Sequence, residues 1–274
     1  MRRRSAEGAA EMSEPVEPSP SSGASRTRRS VLVAGAAGLA AAPLWAATPA
    51  APALGAYAAD RDGGSGGSGE RSGDAADGVP LTPDRVLRIL EDGNRRWVAG
   101  RLRHPHQTVA RREQVAGAQH PLATVFSCID SRVPPEIVFD RGVGDLFVVR
   151  TAAQTNDGLV QGAVEYGVEE SLTPLLVVMG HQRCGAVSFA VETLNAGRDA
   201  PAHLQDVLDA LRPAYEAAKG LPGDQVDNTV RAQIRLTVRQ LEHDALLEPY
   251  ERTGRARVVG AYYSLDTGVV DFCV

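Results

Sequence analysis

The sequence predicts an α/β domain, a mostly parallel β-sheet flanked by helices. Three observations carry that expectation. Short apolar runs rich in β-branched residues alternate with helical stretches, the order that builds a parallel sheet covered on both faces. The runs are too short to be buried helices and are bounded by Gly, Pro and Asp. The hydrophobic fraction, 43% of 274 residues, supplies a real core.

The elements follow in order. Thr82 caps the first helix, Pro83 takes its first position and Asp84 its first turn. Leu87, Leu90 and Trp97 then recur at helical spacing. "PLATVFS" reads as a strand, Leu122–Ser127, "PPEIVFD" as a short helix and "DLFVVR" as a second strand. "GLVQGAVEYGVEE" is helical, "TPLLVVM" is a third strand, Leu175–Met179, and "CGAVSFAVETL" is the helix after it. Two longer helices are expected over 202–219 and 224–244. The end, "RARVVGAYYSLDTGVVDFCV", reads as two strands joined by a turn at Asp266-Thr267-Gly268.

The first 80 residues differ in kind. Residues 1–59 combine a Pro/Ser/Gly-rich disordered start with a segment, 26–56, in which Arg28-Arg29 precedes an Ala/Gly-rich apolar run and then small residues. That order reads as an export signal. The run is short for a membrane anchor, which needs about 20 apolar residues. The arginine pair within "SRTRRSVLVAG" gives the signal a twin-arginine character; an ordinary secretory signal with a basic front is the alternative. Residues 60–78 form a Gly/Ser-rich linker. The folded domain is expected over 79–274. Net charge is −5 and no basic stripe follows the N-terminus, so nothing points to nucleic acid. Three cysteines are too few and odd in number for a disulfide scaffold.

Chemistry gathers in two stretches, "VFSCIDSRVPPE" and "VVMGHQRCGAV". Cys128 falls just past the first strand, and His181 and Cys184 just past the third. Ligand sites in open α/β sheets lie beyond the carboxyl ends of strands. Two thiolates and an imidazole meeting there make a zinc ligand set with a fourth position open. Asp130 could close that position as a fourth ligand, or Arg132 could hold it aside through a bidentate pair. A salt bridge that only stiffens the turn is the plainer reading. His104, His106, His120, His203 and His243 lie away from the strand ends, and Cys273 sits in an apolar terminal strand as a small hydrophobe.

"CIDSR" and "GHQRCGAV" resemble the two motifs of the β-class carbonic anhydrases, C-x-D-S-R and G-H-x-x-C-G. The resemblance runs from about Thr82 to the C-terminus and includes "PPEIVFDRGVGDLFVVR", "GAVEYGVEE" and "DNTVRAQI". It implies one Zn²⁺ per subunit on Cys128, His181 and Cys184, with the Asp130–Arg132 dyad as catalytic residues beside it. It also implies a homodimer or higher homo-oligomer with the site at the dimer interface. Gln119 then matches a glutamine that binds substrate from across that interface, Phe147 an apolar pocket wall, and Gly185 a backbone N–H near the substrate oxygens. The implied reaction is reversible hydration of CO2 to bicarbonate and a proton by attack of a zinc-bound hydroxide. In carbonic anhydrases whose zinc is held by histidines alone, the bound water ionises near pH ~7. Two thiolates neutralise the cation's charge, so hydration here is expected to fall off below neutral pH.

Three positions depart from the family pattern. Ile129 replaces a serine and is expected to face away. Ala153 and Gln154, in "RTAAQ", replace a Gly-Asn pair and alter the pocket floor. Val125 stands where a bicarbonate-inhibited subgroup carries tryptophan, which argues for the open zinc state. Two other functions remain at this level: hydrolysis of a related linear substrate, CS2 or COS, and a nonenzymatic zinc-stabilised binding module. Metal-binding thiols also bear on export. Folding and metallation in the reducing cytosol, then passage through the twin-arginine export machinery, would deliver the chain intact outside the cytoplasm.

Overall fold

The computed structural model describes residues 81–272. The export signal, the linker, the expected domain start near Val79 and Cys273 lie outside them.

Helix α1 (Pro83–Val98) starts as its sequence dictates. Thr82 Oγ1 accepts the Arg85 N–H at 3.3 Å, and Pro83 fills the first turn. Its inner face presents Val86, Leu90, Gly93 and Asn94. Gly93 is required there: a Cβ would stand 1.8 Å from the Phe139 carbonyl oxygen. A six-residue helix α2 (Val109–Gln114) follows, capped by Thr108 and not anticipated from the sequence. Strand β1 (Ala123–Cys128) leads through the short α3 (Pro135–Val138) to β2 (Leu146–Thr151). Then come α4 (Gly158–Glu169), β3 (Leu175–His181), α5 (Gly185–Asn195), α6 (Leu204–Ala218) and α7 (Gln225–Glu242). Helix α8 (Glu248–Arg252), also unanticipated, precedes β4 (Arg257–Tyr263) and β5 (Val270–Asp271).

The strand order is β2-β1-β3-β4-β5; the first four are parallel and β5 runs antiparallel. Every residue of β1 and β3 is buried, Thr124 and Ser127 of β1 included, which is why both strands lack the polar alternation of a half-exposed strand. Phe126, Leu176 and Val178 face one core with Val164, Val187, Leu208, Leu211 and Ile234 from α4 to α7. Val125, Val177 and Met179 face the other with Val86, Leu90 and Phe139. Each such side chain contributes about 1.5–3 kcal/mol on burial. Val125 therefore belongs to the core, on the face of β1 opposite Cys128.

Two expected strand ends shift. The first strand runs through Cys128 and the third through His181, so both residues are the last of their strands rather than just past them. Their side chains are thus set by the pleat of paired strands: Cys128 pairs with Thr151, and His181 with Tyr263. The chain leaves β1 toward β2 on one side, then crosses to β3 on the other. The crevice at the carboxyl ends of β1 and β3 is the switch point of the sheet.

Candidate metal centre

Cys128 and His181 stand at that switch point, and Cys184 joins them as the residue before α5. Their exposures are 3%, 0% and 1%. The two sulfurs are 3.8 Å apart, and all three donor atoms lie within 4.8 Å of one another. Tetrahedral ligands at a Zn–S distance of about 2.3 Å place two sulfurs about 3.8 Å apart, so the spacing fits. His181 Nδ1 lies 3.0 Å from the Gln182 carbonyl oxygen, which can only accept, so the ring proton belongs there. That leaves the Nε2 lone pair free, and Nε2 is buried with no hydrogen-bond partner. A buried, unpaired acceptor beside two thiols is costly unless a cation takes it up. The donor set fits a metal ion, and it is the one cluster of three such groups among the described residues.

The thiols perturb each other. The Cys184 side chain, then the His181 ring and after it the Ala153 amide, holds the Cys128 thiol well below its ordinary range despite burial. The Cys128 sulfur, followed by burial, pushes Cys184 up. The pair thus loses one proton easily and keeps the second until a positive charge arrives.

Asp130 is held by Arg132. Nε donates to Oδ1 at 2.9 Å, Nη2 to Oδ2 at 2.7 Å, and the Arg132 backbone N–H to Oδ1 at 2.9 Å. Arg132 accordingly holds its carboxyl down to about 2. Of the two arrangements left open by the sequence, this is the one in which arginine takes the carboxylate. Oδ2 remains 3.8 Å from His181 Nε2, at the rim of the cluster. Arg150, from the end of β2, fastens the loop beneath by donating to the Cys128 and Asp130 carbonyls at 2.8 and 2.6 Å.

The remaining expected residues are distributed differently. Gly185 opens α5 and is exposed; a Cβ there would meet nothing within 4 Å, and its N–H belongs to the unladdered first turn. Phe147 pairs with Thr124, at the start of β1, and packs edge-to-face on Tyr166. It therefore lies about 13 Å back along the strand from the cluster in its own chain. Gln119 is exposed in the loop between α2 and β1. Ile129 is 59% exposed, facing away as expected.

Ala153 and Gln154 do more than line a floor. Both are buried with positive φ, +54° and +45°, and the Ala153 N–H donates to Cys128 Sγ at 3.3 Å. The left-handed region admits glycine freely and other residues at about 1–2 kcal/mol. A glycine is therefore the natural occupant of position 153, and this chain spends strain there to aim an amide at a sulfur. Sequence reasoning also missed Asp266, which binds both Gln182 and Arg183, because it is far away in the chain.

Comparison with known proteins decides the family. Residues 123–270 match the family model described as carbonic anhydrase. The chain belongs to the β-class carbonic anhydrases. Carbonic anhydrase 2 of Mycobacterium tuberculosis is 38% identical over 187 residues, 68% of this chain and 90% of that one. The carbonic anhydrase of Mycolicibacterium smegmatis is 37% identical over 190 residues, 69% and 92%. Among solved structures, a tetrameric β-carbonic anhydrase of Sordaria macrospora superposes with a TM-score of 0.55 at 21% identity, over 68% of this chain and 96% of that one. The Coccomyxa β-carbonic anhydrase, solved with acetazolamide, gives 0.52 at 22% identity, over 68% and 86%. In this β-class chain, as the fold predicts, both motifs close on one crevice.

Proposed function

We propose that the chain is a zinc carbonic anhydrase that reversibly hydrates CO2 to bicarbonate and a proton, with one Zn²⁺ per subunit on Cys128, His181 and Cys184. The observation that carries this is the unpaired, buried Nε2 of His181 converging on two thiols beside a carboxylate already taken by arginine. Zinc there supplies a Lewis acid that makes water nucleophilic near neutral pH.

The chain's own groups do the rest. Asp130, ionised and paired, can only accept a hydrogen bond. It orients the attacking water by its proton and turns away ligands that have none to give. The Gly185 N–H, at the positive end of α5, favours negative charge growing on the substrate oxygens. Gln119 and Phe147 would act on a second copy's site. Support for a homodimer or larger assembly comes from α4 and the half-buried edge strand β2. Leu159 is 88% and Tyr166 54% exposed, on the helix that packs its other side against β1 and β2. Apolar residues so placed are the kind a partner covers.

The proposal extends to export. Residues 26–56 would carry the folded, metal-loaded domain out by the twin-arginine route, and the chemistry of two oxidisable thiol ligands favours it. No helix among the described residues is long and apolar enough to cross a membrane. Replacing Arg28 and Arg29 together by lysine should block export; unchanged export would refute the twin-arginine assignment. The catalytic proposal is tested by stopped-flow CO2 hydration with zinc present and after chelation. The expected result is hydration that disappears with the metal and returns with zinc alone.

A further inference from the structure

We propose that Asp266, in the turn between β4 and β5, is a positioning residue for the metal site, pinning the two residues that separate His181 from Cys184. The inference rests on reading Cys128, His181 and Cys184 as metal ligands.

The turn between those two ligands needs a brace. Arg183 has a φ of +51°, in the left-handed region, with neither glycine nor asparagine to ease it. That conformation reverses the chain between the tip of β3 and the start of α5, so that His181 and Cys184 face one point. The hold comes from outside the turn. Asp266 Oδ1 accepts from Arg183 Nη2 at 2.7 Å, and Oδ2 accepts from Arg183 Nη1 at 3.0 Å and Gln182 Nε2 at 2.9 Å. Gln182 Oε1 in return accepts from the Asp266 N–H and Ser264 Oγ, both at 3.3 Å. One carboxylate thus grips both intervening side chains.

The grip is anchored behind and coupled in front. Asn94, buried in α1, donates to the Gly268 carbonyl at 2.8 Å and accepts the Val270 N–H at 2.9 Å, fixing the turn that carries Asp266. On the other side, Arg132 Nη2 donates to the Arg183 carbonyl at 3.4 Å, so the residue Asp266 holds also touches the dyad. The Arg183 and Asp266 side chains are 56% and 58% exposed. An ion pair that open adds little to global stability. Its consequence is local, on ligand geometry.

The test uses the full chain carrying Asp266→Ala. Zinc affinity is measured by competition with a chromophoric chelator, and ligand geometry by the visible spectrum of the cobalt(II)-substituted protein. Residues that orient metal ligands typically change affinity by about 10–100-fold. The expected result is a loss in that range and altered cobalt bands, with the melting temperature of the metal-free chain unchanged and Asp266→Asn intermediate. Wild-type affinity with an unchanged cobalt spectrum would overturn the proposal. So would lowered melting of the metal-free chain with unchanged affinity. Should Asp266→Ala fail to fold, Gln182→Ala removes one arm and is read the same way. A wild-type chain that takes up no zinc overturns the metal reading itself. A wild-type chain that binds zinc, beside an Asp266→Ala chain that binds it as tightly, overturns only this inference.

Discussion

At the scale of single residues, Asp130 and Arg132 act as a pair whose members have separable effects. Asp130→Asn keeps shape but lets the group donate as well as accept, so it no longer selects its partner. Losing the group that positions a reactant costs about 100-fold in rate. Asp130→Asn should lower kcat/KM by about 100-fold while a metal count still finds zinc; loss of zinc would instead make Asp130 a ligand. The pH behaviour follows from the pKa of about 2 that Arg132 imposes. A depressed carboxyl stabilises the fold above its ordinary pKa of about 4, and that contribution is lost as pH falls through about 2. Asp130 therefore stays ionised across the working range. Arg132→Gln should raise its pKa, moving the onset of acid unfolding to higher pH, as followed by circular dichroism.

At the scale of elements, two strand tips and one helix start hold the three candidate metal donors, and α1 holds the last turn of the sheet. Asn94 is the joint. It donates to the Val138 and Gly268 carbonyls and accepts the Val270 N–H. Asn94→Ala leaves the buried Val138 carbonyl and Val270 N–H, and the half-buried Gly268 carbonyl, without this partner, and each buried group costs about 1–3 kcal/mol. A loss of about 3 kcal/mol in urea unfolding is expected, and a change below about 0.5 kcal/mol would show that water replaces the side chain. The elements themselves were largely legible. Thr82-Pro83 announced α1, and the apolar runs announced β1 and β3, because local propensity and burial agree there. Helices α2 and α8 were not, being five or six residues long with no buried residue to set a period. The three candidate donors were legible because each falls just past a predicted strand or starts a predicted helix. The Ala153 amide and Asp266 were not: a left-handed alanine violates the local rule, and Asp266 reaches its partners across 83 and 84 positions.

At the scale of the whole molecule, the account requires a second copy. Phe147 lies well back along the sheet from the cluster of its own chain, Gln119 sits in the loop that enters β1 at the end away from Cys128, and a single sequence does not reveal which surface meets which. Leu159→Asp places a charge on the most exposed large apolar residue of α4. It should shift the chain toward monomer in sedimentation and cut the hydration rate with it. A monomer of full activity would remove Gln119 and Phe147 from the mechanism. The central claim, that three side chains from two strand tips gather one catalytic ion, is tested most directly by titrating metal-free protein with zinc while following CO2 hydration. The rate should climb from near zero in proportion to added zinc and level off at one ion per subunit. A metal-free chain already at full rate would contradict the account.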